Sequence, residues 1–254
     1  MEPSDTPESA IDIRALNYAY AAGPTVLQDL TFKVEAGETI AVVGPSGAGK
    51  TTLLMHLNGL LPEKLAGDSE TASVAVNGIT VRQSTAAQVR QQVGFVFQDP
   101  DDQLFCPTVR EDVAFGPLNM GLDRETVLQR VESSLERVGL RGFENRGTLQ
   151  LSVGERKRVC LAGVLACEPK VLVLDEPFSN LDPRSRRGLI DILREFPGAQ
   201  IIATHDLDLV VELCSRVLVL DAGQIKAYGD VRNVLSDAVL MEKHGLEVPW
   251  RLRT

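Results

Sequence analysis

Five short runs along the chain are continuously apolar: IAVV at 40–43, FVF at 95–97, VLVL at 171–174, IIAT at 201–204 and VLVL at 217–220. Continuous rather than alternating apolarity suits strands buried on both faces of a parallel sheet covered by helices. Helical periods lie between them, as in Val127, Leu128, Val131, Leu135 and Val138, framed by Asp123 as an N-cap and Gly139 as a C-terminal stop. The pattern predicts an α/β protein. LTFKV at 30–34 and SVAV at 73–76 alternate instead, which predicts half-exposed strands of an antiparallel edge sheet.

From Phe97 to Val171 the chain reads as helix and loop, so a helical subdomain of about residues 99–167 is expected inside a sheet domain spanning 11–229. Residues 1–10 are acidic and polar and read as a disordered tail. After Gly229 a helix around VRNVLSDAVLMEKHG and a tail, VPWRLRT, form a C-terminal extension over 230–254, whose Trp250 either packs or meets a partner.

Composition narrows the classes. A chain of 254 residues suits one large domain carrying a subdomain. Its 26 basic and 35 acidic residues give a net charge of −9, a field that opposes nucleic-acid and anionic-lipid partners. Cys106, Cys160, Cys167 and Cys214 have no C-x-x-C spacing and read as reduced core residues. No apolar run reaches the roughly 18 residues that a membrane-spanning helix requires. The expected location is cytosolic, with room for a place against a membrane protein.

The chemistry begins after TIAVV, where GPSGAGKTT fits G-x-x-x-x-G-K-[ST] and runs into the apolar helix TLLMHLNGLL. Strand before and helix after are the context a phosphate loop requires. Gly44, Pro45, Ser46, Gly47, Ala48 and Gly49 let the backbone wrap phosphates, and the helix start at Lys50, Thr51 and Thr52 supplies N–H groups. In such a loop Lys50 reaches the outer phosphates of a nucleoside triphosphate and Thr51 ligates Mg2+. VLVLDEP ends a buried strand with Asp175 and Glu176: the first suits a magnesium contact, the second the attacking water. IIATHD delivers His205 to the same edge, where it either contacts the terminal phosphate or opens a helix that Asp206 caps.

LSVGERKR at 151–158 precedes VLVLDEP, and SNLD at 179–182 follows it. Phosphate loop, glutamine after a strand, L-S-x-G, acidic strand end, S-x-L-D and histidine, in this order from about Ile13 to Gly229, resemble the nucleotide-binding subunit of ABC transporters. The resemblance implies a P-loop ABC ATPase with a mixed core sheet, an antiparallel β subdomain and an inserted helical subdomain. It implies two subunits, identical or paralogous, closing head to tail, with Ser152 and Gly154 on the ATP held by the partner. It makes Glu176, His205 and Lys50 catalytic, and Thr51, Gln98 and Asp175 the magnesium residues. Tyr20 falls where the family stacks an aromatic on adenine; core packing is the alternative. Val153 stands where the family has glycine and adds bulk and stiffness beside the phosphates.

HLNGLLP, QDPDDQLF, DVAFGPLNMGL and ATHDLDLVVELC resemble the ATPases of energy-coupling-factor importers, especially the cobalt and nickel branch. That likeness implies a peripheral place at the cytoplasmic face of the membrane, beside a membrane-spanning coupling protein and a substrate-binding membrane protein. Cobalt or nickel is the first cargo and a vitamin the second; a soluble ABC ATPase is the rival class. QDPDDQLF lacks the ligand spacing of a calcium loop. Gln98 then belongs with the magnesium, while Asp99 to Phe105 meets the coupling protein through acidic residues around Leu104 and Phe105, with Asp101 or Asp102 pairing a partner arginine.

Overall fold

A computed structural model describes residues 9–21, 23–67 and 72–253. The first half runs through β1 (Ser9–Ala19), β2 (Thr25–Glu35), β3 (Thr39–Val43), α1 (Lys50–Leu57), β4 (Val74–Val76), β5 (Ile79–Thr80), α2 (Ala86–Gln92) and β6 (Val93–Val96). The helices α3 (Val109–Asn119), α4 (Arg124–Arg137) and α5 (Val153–Ala166) follow. The chain then returns through β7 (Val171–Asp175), α6 (Pro183–Arg194), β8 (Ala199–Ala203), α7 (Leu207–Leu213) and β9 (Arg216–Asp221). It closes with β10 (Gln224–Asp230), α8 (Val231–Leu235) and α9 (Ala238–Lys243).

The five apolar runs become β3, β6, β7, β8 and β9, in a six-stranded sheet of order β10-β9-β3-β8-β7-β6. These five pair in parallel, and β10 closes the edge antiparallel to β9. Every residue of β7 and β8 is buried, because helices cover both faces. The second sheet is antiparallel, in the order β2-β1-β4-β5, and shares one apolar core with α1 and one face of the larger sheet. A second core joins the other face to α3, α4, α5 and α6.

A strand not read from the sequence, β1, precedes Tyr20 and pairs with both β2 and β4. Regular alternation fails there because Ala15 takes a left-handed backbone (φ 48°) and the pairing register slips several times. The tail expected over 1–10 lies outside the described residues as far as residue 8, while Ser9 and Ala10 already open β1. Instead of one helix, VRNVLSDAVLMEKHG forms α8 and α9, because Asp237 caps a new helix by accepting from the Leu240 amide at 3.0 Å. Trp250 is 75% exposed, in a short 3-10 turn. No helix of the described residues is long and apolar enough to cross a membrane.

The four cysteines are free thiols, and burial pushes Cys160 and Cys214 up to about 12. Ile201 is fully buried in β8 and Val239 is 77% exposed on α9. Ile201→Ala should cost about 2–5 kcal/mol in urea unfolding. Val239→Ala should stay within about 0.5 kcal/mol; equal costs would contradict the placement of the core.

Candidate functional site

Parallel pairing brings the C-terminal ends of β3, β8 and β7 to one edge, and the polar residues that follow each strand gather there. After β3 the chain turns through Gly44 to Gly49 into α1. Any Cβ on Gly44 would overlap the Leu220 carbonyl oxygen, and one on Gly49 (φ 102°) would lie 2.8 Å from Leu27. Both positions therefore demand glycine. No side chain caps α1, whose first N–H groups are left to face a phosphate. Lys50 folds back over the loop, its Nζ donating to the carbonyls of Gly44 at 2.7 Å and Pro45 at 3.0 Å. Burial lowers its pKa, opposed by the carboxylates of Glu176 and Asp175.

The hydroxyl of Thr51 donates to Asp175 Oδ2 at 2.6 Å, joining the helix start to the end of β7. Asp175 is 4% exposed, and burial raises its carboxyl, with the Thr51 bond acting the other way. A buried carboxylate beside a hydroxyl is a hard oxygen donor pair that fits magnesium. Gln98 lies two residues beyond β6. The register that pairs Val96 with Leu174, carried forward, sets it level with Glu176. Among the described residues no group of three or more His, Cys, Asp or Glu side chains is arranged to hold a metal, so QDPDDQLF forms no such centre.

Glu176 follows β7 with its backbone in the left-handed region (φ 44°), a conformation that costs on the order of 1–3 kcal/mol and is held by its surroundings. Its amide donates to the Ala203 carbonyl at 2.9 Å. Its Oε2 lies 2.9 Å from Nδ1 of His205, and Thr204 Oγ1 donates to the same oxygen at 3.4 Å. The Glu176 side chain is 12% exposed and His205 74%. Asp206 caps α7 through the Leu209 amide, so the histidine sits at a helix entry and also touches the carboxylate. Thr204 carries no sequence signal of this role.

Tyr20 is 44% exposed, which removes the core-packing alternative, and its hydroxyl is 3.1 Å from Thr52 Oγ1. Tyr18 meets its ring edge-on at 5.0 Å and fixes its plane. Ser152, Val153 and Gly154 start α5 on another part of the surface. Ser152 accepts from the Glu155 amide, and Glu155 accepts from Ser152 in return, forming a capping box. That fold-back also holds the Glu155 carboxyl below its usual range. Val153 is the first helical residue, so glycine's extra backbone freedom is not used there; the valine brings bulk without strain. Gly154 is tight, since a Cβ there would lie 3.0 Å from Ser185 Oγ. Asp182 caps α6 through the amides of Arg184 and Ser185.

Two expectations for Asp99 to Phe105 change. Asp101 is paired within its own chain, to Arg156 of α5 at 2.5 Å, so a partner arginine would have to compete with that contact. Leu104 is half-buried against the helical core, which leaves Phe105, 65% exposed, as the outward apolar residue of the segment. Phe105 stacks edge-on with Phe115 of α3 at 4.7 Å, and Phe115 and Leu118 continue the apolar surface. Asp99 is spent on a local turn, accepting from the Asp101 amide. A cleft beside these residues is lined by Gln98, Asp102, Val153, Lys157, Ser179 and Asn180. Lys157, inside LSVGERKR, is a further residue with no sequence signal of a role here, and it is 5% exposed.

This arrangement can bind a nucleoside triphosphate with its metal, orient water and transfer a phosphoryl group. The family model described as ABC transporter matches residues 27–179. A putative ABC transporter ATP-binding protein of Gloeobacter violaceus is 50% identical over 242 residues, covering 94% of this chain and 97% of its own length. The energy-coupling factor transporter ATP-binding protein EcfA of Methanothermobacter thermautotrophicus is 46% identical over 94% of this chain and 76% of its own. Among solved structures, cbiO1 from Clostridium perfringens, described as part of the ABC transporter complex cbiONQ, aligns with a TM-score of 0.79 and 34% identity, covering 93% of this chain and 94% of that one. Matched in sequence and structure along almost its whole length, the chain belongs to the ABC transporter family, as an ATPase whose ATP hydrolysis is coupled to transport.

Proposed function

We propose that this chain is the ATPase subunit of an energy-coupling-factor type importer and that its cargo is cobalt or nickel. The likeness to EcfA and to cbiO1 supports the importer type. The choice of metal ion over vitamin rests on the subfamily segments HLNGLLP, QDPDDQLF and ATHDLDLVVELC. The observation that carries the activity is the meeting of two pairs at one sheet edge: Thr51 with Asp175 at 2.6 Å, and Glu176 with His205 at 2.9 Å.

In the proposed cycle the Tyr20 ring stacks on adenine, and Lys50 exchanges the carbonyls of Gly44 and Pro45 for the outer phosphates. Thr51, Asp175 and Gln98 would hold magnesium, which when bound screens the phosphate charge. Glu176 takes the proton side of the attacking water. His205 keeps the carboxylate aimed and stabilises charge on the terminal phosphate. Ser152, exposed at the start of α5, and the half-buried Gly154 complete the site on a second ATPase subunit. ATP thus acts as the glue of a dimer and its hydrolysis reopens the pair.

Peripheral placement at the cytoplasmic face follows from this reading. The membrane partner docks on Phe105, Phe115 and Leu118, with the exposed Asp102, which has no ion-pair partner among the described residues, as an acidic rim for a basic residue of the coupling protein. The substrate-binding component is reached only through that protein.

Glu176→Gln should lower magnesium-dependent ATP hydrolysis on the order of 10²–10⁴-fold and leave ATP trapped in a dimer seen by size exclusion. Full turnover would remove the role given to the carboxylate. Phe105→Ser should cost about 2 kcal/mol in assembly with the membrane components, as loss of an exposed aromatic anchor does. Co-purification at the wild-type level would exclude that surface. Uptake of radioactive cobalt by the reconstituted complex tests the cargo, and transport of a vitamin without the metal would overturn it.

A further inference from the structure

Lys157 lies in the second turn of α5 and is 5% exposed, yet among the described residues no carboxylate forms an ion pair with it. Its Nζ donates instead to Ser179 Oγ at 2.8 Å, to the Glu176 carbonyl at 3.1 Å and to the Pro177 carbonyl at 3.4 Å. Three donors meet three acceptors, which is the full capacity of an ammonium group. A buried cation without a countercharge is costly, so an arrangement that keeps one there has a demanding use for it. Burial lowers its pKa, and the nearby Glu176 carboxylate acts in the opposite direction.

The acceptors identify that use, because all three belong to the corner that carries Glu176. The same Glu176 carbonyl also accepts from the Ser179 amide at 3.2 Å and from the Ser179 hydroxyl at 2.9 Å. On the other side the Glu176 amide is held by Ala203 of β8. The peptide groups flanking a strained residue (φ 44°) are thus fastened in opposite directions, to the sheet by the amide and to α5 by the carbonyl. Without the link to α5 the carbonyl keeps only the local bonds from Ser179, so the corner can shift as a unit, relaxing Glu176 toward an ordinary backbone conformation and swinging its carboxylate away from His205.

We infer that Lys157 is a positioning residue for hydrolysis, which holds the Glu176 backbone in the left-handed conformation that aims its carboxylate at the attacking water. The inference rests on the role proposed above for Glu176. It adds that α5, which presents Ser152 and Gly154 at one end, clamps the water-orienting residue of its own subunit through the ammonium one turn further on.

The test uses the full chain and magnesium ATP. Lys157→Met keeps the length of the side chain and removes the donors. It should lower kcat at least about tenfold, as misaiming a catalytic group does, with KM within about twofold of wild type. In the Glu176→Gln background the aim no longer matters, so adding Lys157→Met should leave the ATP-trapped dimer intact. A merely structural role predicts loss of that dimer, and this result would overturn the inference, as would an unchanged kcat. Should Lys157→Met fail to fold, Ser179→Ala decides. It removes the shortest of the three bonds at a half-buried position and should lower kcat in the same direction with KM unchanged; wild-type kcat would overturn the inference. A fully active Glu176→Gln would overturn the role of the carboxylate and the inference with it, whereas an inactive Glu176→Gln beside a fully active Lys157→Met overturns the inference alone.

Discussion

Parallel pairing of β3 with β8, and of β8 with β7, is the constraint on which the rest of the molecule depends. Parallel strands finish at the same edge, so the residues that follow each are neighbours in space although 29 places separate Glu176 from His205 and 154 separate Thr51 from His205 along the chain. Thr51 reaches Asp175 across a separation of 124 residues, and His205 reaches Glu176 because β7 and β8 are adjacent. Full burial of these strands fixes their register, since sliding one by a residue would break an apolar interior on both faces. Precision at the edge is therefore supplied by packing well away from it.

How much of this was legible differs by element. The parallel strands could be read because burial on both faces writes an uninterrupted apolar run, and the phosphate loop because glycine is forced at Gly44 and Gly49 by crowding. β1 was not legible: its bulges at Ala15 and beyond break the two-residue period that identifies an exposed strand. The C-terminal segment reads as one helix because its apolar period continues through Ser236 and Asp237, whereas the Asp237 side chain, a better cap than helix interior, starts a second helix.

Long-range polar pairs were the least legible. Nothing in QDPDDQLF indicates that Asp101 is already neutralised by Arg156, 55 residues later, or that Leu104 turns inward while Phe105 turns out. Lys157 is the same case inside a quoted motif: only the fold reveals that the corner after β7 surrounds it. Charge is a poor guide to exposure where a tight turn offers several carbonyls at once, because carbonyl dipoles can replace a countercharge.

The contact of Lys50 with Gly44 and Pro45 joins the first helical turn to the start of the glycine loop. The path of that loop is set by its neighbours, because a Cβ at Gly44 would meet the Leu220 carbonyl and one at Gly49 would meet Leu27. The lysine is therefore a strut across a turn whose outline the adjoining chain already dictates. Its ammonium, carried on a flexible stem, is a movable part set in a cradle of fixed backbone.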